Sequence, residues 1–380
     1  MTVLFWLSAA ALFYSLFGYG LVLLALSRLR PPRRPPAPAG PPPKVSFLVA
    51  AYNEAGVIGD KIRNTLALDT GGAEIEVIVV SDGSSDDTVA VARAIRHPRV
   101  TVLDPGRLGK AHALDHGLAR CTGDIVVFSD ANAILTPGTL TAMLRHYADP
   151  EVGGVCGQIT VEGGKGGIGG AESLFWRYDQ ALKLAESRLG GAVSAQGSVY
   201  SLRRALVRPP APGCTDDFVI SVGAVAQGSR LVFEPEASTV EAVTENVGSE
   251  MRRRIRSSER GWRSLMRNAG LMNPLRHGWY AWQLFSHKLM RRLNPLFLIL
   301  LFVSNLALMG QHWFYLLLGL AQIAFYAAAV AGLAWPGLRR FKAVSLPAFF
   351  TFAHVALLLG ILRCLTGRQS VLWTPSRDAG

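Results

Sequence analysis

Three features of the sequence predict an α/β domain held between membrane-crossing helices. Short apolar runs, VSFLVAAY, EVIVVSD, RVTVLD and DIVVFSDAN, recur from Lys44 onward with helical patterns between the first pairs. That alternation of buried strands and crossover helices builds a parallel sheet. Residues 2 to 27 contain no charge and are long enough to cross a hydrocarbon core of ~30 Å as a helix. Three further apolar runs follow Pro295, at 296 to 310, 313 to 334 and 344 to 363.

The composition agrees. Half of the 380 residues are hydrophobic and only 17% are charged, a balance shifted from soluble proteins toward lipid. The net charge of +12 would suit nucleic acid, but basic residues gather beside apolar stretches, as at Arg28, Arg30, Arg33 and Arg34. Membrane headgroups and a phosphate-bearing ligand explain that placement, and nucleic acid is not expected as a partner. The four cysteines, Cys121, Cys156, Cys214 and Cys364, lack CxxC spacing and read as free thiols.

A cleaved signal peptide fits the first segment poorly. Its positive charges follow the apolar run, which exceeds the ~7 to 15 residues of a signal core. Arginines at 28 to 34 belong in the cytosol, which puts the N-terminus outside and the α/β domain inside. The boundaries expected are a transmembrane helix over 1–28, a Pro-rich linker over 29–43 that its prolines keep stiff, a cytosolic domain over 44–270, an interfacial amphipathic segment over 271–294, about three transmembrane helices over 295–364 and a tail over 365–380. Within this plan GWYAWQLFSHKLMRRL, residues 278 to 293, mixes aromatic and basic side chains as an interface helix does, or as a buried amphipathic helix would. Three crossings leave the tail, with Arg363, Arg368 and Arg377, outside, against the charge rule unless one run is re-entrant. The glycine-rich stretch 153 to 170 reads as a loop, either mobile beside a site or plain surface.

Ligands of open α/β sheets bind at the carboxyl ends of the strands, where this sequence carries unusual polar residues. In AAYNE, Asn53 and Glu54 follow a strand directly and suit a base or ribose, or an ordinary strand-to-helix turn with an Asn cap. In SDGSSDDT, Asp82 stands at a strand tip, able to accept hydrogen bonds from an imide or a ribose, while Ser85, Asp86 and Asp87 are placed to cap the next helix. In FSDAN, Asp130 and Asn132 offer two oxygens at i and i+2 to a hard cation that completes its shell with waters and a diphosphate. Lys110, in LGKAHAL, offers positive charge to the same phosphates or is simply solvated. Asp216 and Asp217 open a helical pattern in CTDDFVI, favoured there by the helix dipole, and one of them suits a general base. EMRRRIRSSERGWR concentrates Arg252, Arg253, Arg254, Arg256, Arg260 and Arg263, a basic juxtamembrane helix or a stabiliser of departing diphosphate.

In this order the motifs resemble the family-2 inverting glycosyltransferases, the membrane-bound group that includes cellulose and hyaluronan synthases, over roughly 44 to 300. The resemblance implies a GT-A type nucleotide-sugar-binding α/β domain with N- and C-terminal transmembrane helices. It implies that Asn53, Glu54, Asp82 and Lys110 bind the donor, and that Asp130 and Asn132 hold Mg2+ or Mn2+ and the diphosphate. TDDF looks like the family's TED segment, which makes Asp217 the base and Asp216 the replacement for its glutamate. RRIRS, 253 to 257, is similar to QxxRW and leaves Arg256 as the diphosphate-binding arginine. Besides Asp216, three positions depart from the pattern: Ser257 replaces the tryptophan of QxxRW, Arg253 replaces its glutamine, and Asn132 replaces the second acid of DxD.

The expected activity is that of a membrane-bound inverting glycosyltransferase of the inner membrane, adding one or few sugars from a nucleotide sugar, UDP-linked by family habit, to a lipid-linked or saccharide acceptor. A processive synthase and a noncatalytic scaffold that keeps the fold are the alternatives. The lost tryptophan counts against the first, and intact Asp82, Asp130 and Asp217 against the second.

Overall fold

The computed structural model describes residues 1–31, 35–36, 40–162, 167–242 and 247–367. Arg33, Arg34, the middle of the glycine-rich stretch and the tail from 368 lie outside the described residues. The described residues form two compact units, one within 23–242 and 268–281, the other within 1–22, 247–267 and 282–367.

The first unit is built on an eight-stranded sheet. Its strands are β1 (Val45–Ala51), β2 (Ile75–Ser81), β3 (Val100–Leu103), β4 (Ile125–Ser129), β5 (Ile134–Leu135), β6 (Val152–Glu162), β7 (Val199–Arg203) and β8 (Arg230–Ala242), in the order β3-β2-β1-β4-β7-β6-β8-β5. The first four are parallel, as the alternation predicts. Every residue of β1 and β4 is buried, which is why these strands read as continuous apolar runs and not as alternating ones. Val45, Phe47 and Val49 of β1 join Ile58 and Ile62 of the Ala55–Leu66 helix in one core with Val77, Val127 and Val199.

Beyond β4 the sheet changes character. β7 inserts antiparallel between β4 and β6, pairing Ser129 with Val199, so the chain that precedes β7 is delivered beside the tip of β4. The glycine-rich stretch does not begin as a loop: Val152–Glu162 is a strand inside the sheet. Its glycines serve close approach, since a Cβ on Gly157 would stand 2.5 Å from the Ala237 carbonyl oxygen and from the Val199 side chain.

The second unit gathers apolar helices. Among the described residues, four helical runs are long and apolar enough to cross a membrane: Thr2–Arg28, Pro274–Leu308, Trp313–Ala334 and Lys342–Leu365. Polar side chains pair inside this unit, where lipid offers no water to satisfy them: Ser15 Oγ donates to Asn294 Oδ1 at 2.6 Å, and Trp282 Nε1 donates to the Tyr14 hydroxyl at 2.9 Å. The expected interfacial segment is the start of a longer helical run, broken at Gly278 (φ 50°) and then continuous to Leu308. The arginine-rich helix Val247–Arg267 also groups with the apolar helices and not with the sheet. Ser258 Oγ donates to the Leu357 carbonyl at 2.8 Å, and Gly360 lies against Ser258 and Ile255.

The parallel half depends on backbone approaching backbone at the entry to β4. A Cβ on Gly123 would stand 2.6 Å from the Ser46 amide nitrogen and 2.8 Å from the Val45 carbonyl carbon, so Gly123→Ala forces β1 and β4 apart. We expect a loss of about 1 to 3 kcal/mol, read as a lower thermal midpoint of the detergent-solubilised protein. Gly56→Ala, in a helix and with nothing within 4 Å of its added methyl, should not lower the midpoint.

Candidate active site

The polar residues named from the sequence fall into two groups at the carboxyl ends of the parallel strands. The first lies beyond β1 and β2. Asn53 turns the chain out of β1 in the left-handed region, φ 53°, which asparagine tolerates better than most residues. Its side chain is engaged with the β2 loop: Oδ1 accepts from the Ser85 amide at 2.9 Å and Nδ2 donates to Ser85 Oγ at 3.1 Å. Asn53 is therefore a tether and not the helix cap. Glu54 occupies the cap position without a side-chain cap bond and is 8% exposed. The carboxylates after Ser85 do not cap uniformly either. Asp86 accepts from the Ala55 amide at 3.1 Å and from Thr88, and the Asp87 side chain makes no cap bond.

Asp82 is fully buried at the tip of β2. Its Oδ1 accepts from the Leu108 and Gly109 amides at 2.8 and 2.6 Å, and its Oδ2 accepts from Arg107 at 2.7 Å. The Arg107 guanidinium also lies 3.4 Å from the centre of the Tyr52 ring. Arg107, which sequence reasoning passed over, thus closes this group by stacking and ion pairing together.

The second group lies where β4 ends and β7 begins. Lys110 starts the Lys110–Leu118 helix and places its ammonium 3.0 Å from Asp130 and 3.0 Å from Asp216. Asp216 and Asp217 open the Asp216–Ala226 helix, and Asp217 Oδ1 accepts from the Phe218 amide at 2.8 Å. A Cβ on Gly197, just ahead of β7, would lie 3.2 Å from Asp130 Oδ2 and 3.9 Å from Asp217 Oδ2. The two carboxylates therefore converge over a residue without a side chain. Asn132 is half-buried two residues beyond Asp130.

Charge sets the behaviour of this corner. Burial alone would push the Lys110 ammonium down, but Asp130 and Asp216 raise it above its usual 10.5. A lysine raised on folding contributes its stabilisation fully below the unfolded value and loses it only as pH climbs through the folded one. The Lys110 ion pairs therefore persist at neutral pH. Beneath them Tyr200, stacked on Phe128 with ring centres 4.8 Å apart, has a buried hydroxyl with no hydrogen-bond partner among the described residues. Burial, then the charges of Asp216, Asp217 and Asp130, hold that phenol protonated well above its usual 10. No periodicity marks Tyr200; its position opposite Phe128 becomes visible only once β7 is known to pair with β4. Arg256 belongs to the unit of apolar helices, half-buried on Val247–Arg267, where burial and Arg253 push its guanidinium below its usual 12.5.

A mixed sheet with acids at the carboxyl ends of its parallel half defines a GT-A type domain. The fold matches that of a mannosyltransferase from Pyrobaculum calidifontis in complex with GDP-Man and Mn2+, with TM-score 0.71 and 24% identity over 95% of this chain and 99% of that one. Residues 46–207 match the model of glycosyl transferase family 2. The chain is 28% identical over 233 residues to poly-beta-1,6-N-acetyl-D-glucosamine synthase of Staphylococcus aureus, covering 59% of this chain and 56% of the relative. It is 33% identical over 196 residues to beta-monoglucosyldiacylglycerol synthase of Synechocystis, covering 49% and 40%. The chain thus spans about half the length of these two curated relatives.

Asp82 gives the site its most exacting demand, because an amide in its place turns one acceptor into a donor that faces either the Leu108 and Gly109 amides or the Arg107 guanidinium. Asp82→Asn should cost about 1 to 3 kcal/mol, measured as a fall in the thermal midpoint without any ligand. An unchanged midpoint would mean that the Arg107 segment is not anchored through Asp82.

Proposed function

We propose that this protein is a membrane-bound inverting glycosyltransferase, which moves one sugar or very few from a nucleotide sugar onto a lipid-linked or saccharide acceptor. One observation carries the reading: Asp130, Asp216 and Asp217 meet around Lys110 and Gly197 at the β4 and β7 junction. In our reading residues 44 to about 245 form the donor-binding domain on the cytosolic face of the inner membrane. The apolar helices hold the protein in the bilayer.

Asp217 takes the proton of the acceptor hydroxyl as that oxygen attacks the anomeric carbon, on the face opposite the departing nucleoside diphosphate. Its carboxylate stands in the first turn of a helix, held by the Phe218 amide. Lys110 contributes positive charge to the phosphates and holds Asp216 beside Asp217. Asn53, Glu54 and Asp82 shape the nucleoside end. For Asp82 this operates through the Arg107 segment that it anchors, since Asp82 itself is buried. Arg256 is assigned to the diphosphate from its place in the sequence.

A divalent ion, Mg2+ or Mn2+, fits the donor set. Asp130 is 37% exposed at its side chain and Asn132 supplies an amide oxygen, while no group of three or more His, Cys, Asp or Glu among the described residues is arranged to hold a metal unaided. One carboxylate completed by a diphosphate and waters is the habit of these hard cations. When bound, the ion would neutralise charge on the leaving diphosphate. Ser257 offers no apolar face for stacking a growing chain, which favours short addition. The likeness to a poly-N-acetylglucosamine synthase favours a processive second reading, and product sizing with limiting acceptor separates the two.

Asp217→Asn should reduce transfer at least ~100-fold while leaving the donor's dissociation constant nearly unchanged. Single-turnover kinetics beside equilibrium donor binding would show this, and transfer above about one tenth of wild type would remove Asp217 from the role of base. Transfer should also stop in chelator and return with Mg2+ or Mn2+. Asn132→Asp should lower the metal concentration for half-maximal activity, because an added carboxylate attracts a hard cation more than an amide does. Full turnover in chelator would take the metal out of the reaction.

A further inference from the structure

The segment from Ser129 to Leu135 carries Asp130 and Asn132, yet it is a short excursion between β4 and the two-residue β5. Besides the β4–β7 and β5–β8 pairing at its ends, it is held by Lys61 and Asn64 from one face of the Ala55–Leu66 helix. Lys61 Nζ donates to Ser129 Oγ at 2.7 Å and to the Ala133 carbonyl at 2.6 Å. Three residues on, Asn64 Nδ2 donates to the Leu135 carbonyl and its Oδ1 accepts from the Leu135 amide, both at 2.9 Å. Positions i and i+3 share a helix face, so the pair grips the excursion at both ends with Asp130 and Asn132 between the Lys61 contacts.

Lys61 is 0% exposed, a costly place for an ammonium. A packed apolar side chain would serve the core as well if the helix had only to cover the sheet. The Lys61 contacts also reach further than the excursion. Ser129 Oγ, which accepts from Lys61, donates to the Ser198 carbonyl at 2.7 Å, next to the Gly197 against which Asp130 and Asp217 lie. One buried cation thereby fixes the end of β4 and the approach to β7, the two segments whose separation decides where the carboxylates meet.

We propose that Lys61 is a positioning residue for the cation and diphosphate subsite: through Ser129, Ala133 and Ser198 it holds Asp130 and Asn132 in the geometry that binds a divalent cation with a nucleoside diphosphate. This inference rests on the donor-binding reading given above. Lys61 touches no reacting atom, and its effect falls on metal and diphosphate affinity.

The test uses the full-length protein in detergent. Wild type, Lys61→Met, Lys61→Arg and Ser129→Ala are titrated with Mn2+ in the presence of UDP, GDP or dTDP. Bound Mn2+ is followed by its electron paramagnetic resonance signal and protein stability by the thermal midpoint. Gly123→Ala, destabilised away from the subsite, is the control. Lys61→Met should weaken Mn2+ binding about 10- to 100-fold, the scale on which residues supporting metal ligands act. Lys61→Arg and Ser129→Ala should weaken it less, and Gly123→Ala should keep the wild-type value despite its lower midpoint. Wild-type affinity in Lys61→Met, or equal weakening in Gly123→Ala, overturns the inference. If Lys61→Met does not fold, the other two variants decide: weakening in either supports the proposal, and wild-type affinity in both overturns it. Wild type that binds Mn2+ with none of the three nucleotides overturns the functional reading and the clamp together. Wild type that binds while the variants bind equally well removes the clamp alone.

Discussion

Three carboxylates, Asp130, Asp216 and Asp217, can share one corner of this sheet only because a cation stands among them. Like charges that close raise each other's energy, and Lys110, 3.0 Å from Asp130 and from Asp216, offsets that repulsion in the free protein. Much of the surrounding architecture serves this arrangement. The Lys110–Leu118 helix delivers the ammonium, the antiparallel insertion of β7 brings Gly197 beside the end of β4, and the absence of a side chain at Gly197 leaves room for two carboxylates to face each other.

The same electrostatics explain why the site suits a charged ligand. A corner that keeps a lysine protonated far above neutral pH is one in which added cations are welcome and a diphosphate must bring or find positive charge. A divalent ion shared between Asp130 and the donor meets that condition, and Lys110 is already in place for the phosphates. The buried Tyr200 phenol under the acids, held neutral, adds no charge of its own. The match of residues 46–207 to the model of glycosyl transferase family 2 accords with this chemistry.

How much could be read from the sequence depended on how local each signal was. β1, β2 and β4 were legible because both their faces are buried, which leaves nearly uninterrupted apolar runs; the edge strand β3 is only partly buried and was legible from its β-branched VTVL. Asp82, Asp130 and the Asp216–Asp217 pair were legible because each sits directly at the end of such a run or the start of a helical pattern. The strands from β5 to β8 were not, since β5 is two residues long and β6 begins in glycines whose purpose, close approach to β7 and β8, exists only after folding. Arg107, Lys61 and Asn64 were missed for a related reason. Each looks like an ordinary loop or helix residue until the fold brings Asp82, Ser129 or Leu135 to it. The arginine-rich helix shows the converse, a motif plain in the sequence whose company, the apolar helices, its composition did not announce.

The central claim is that this acidic corner performs a single displacement at an anomeric carbon. Its most direct test is a time-resolved nuclear magnetic resonance record of the anomeric proton, with purified full-length protein, diamagnetic Mg2+, a panel of nucleotide sugars and a lipid-linked or saccharide acceptor. The account predicts that one donor is consumed and that the first product formed carries the opposite anomeric configuration. A first product that retains the donor's configuration, or no turnover with any nucleotide sugar, would contradict it.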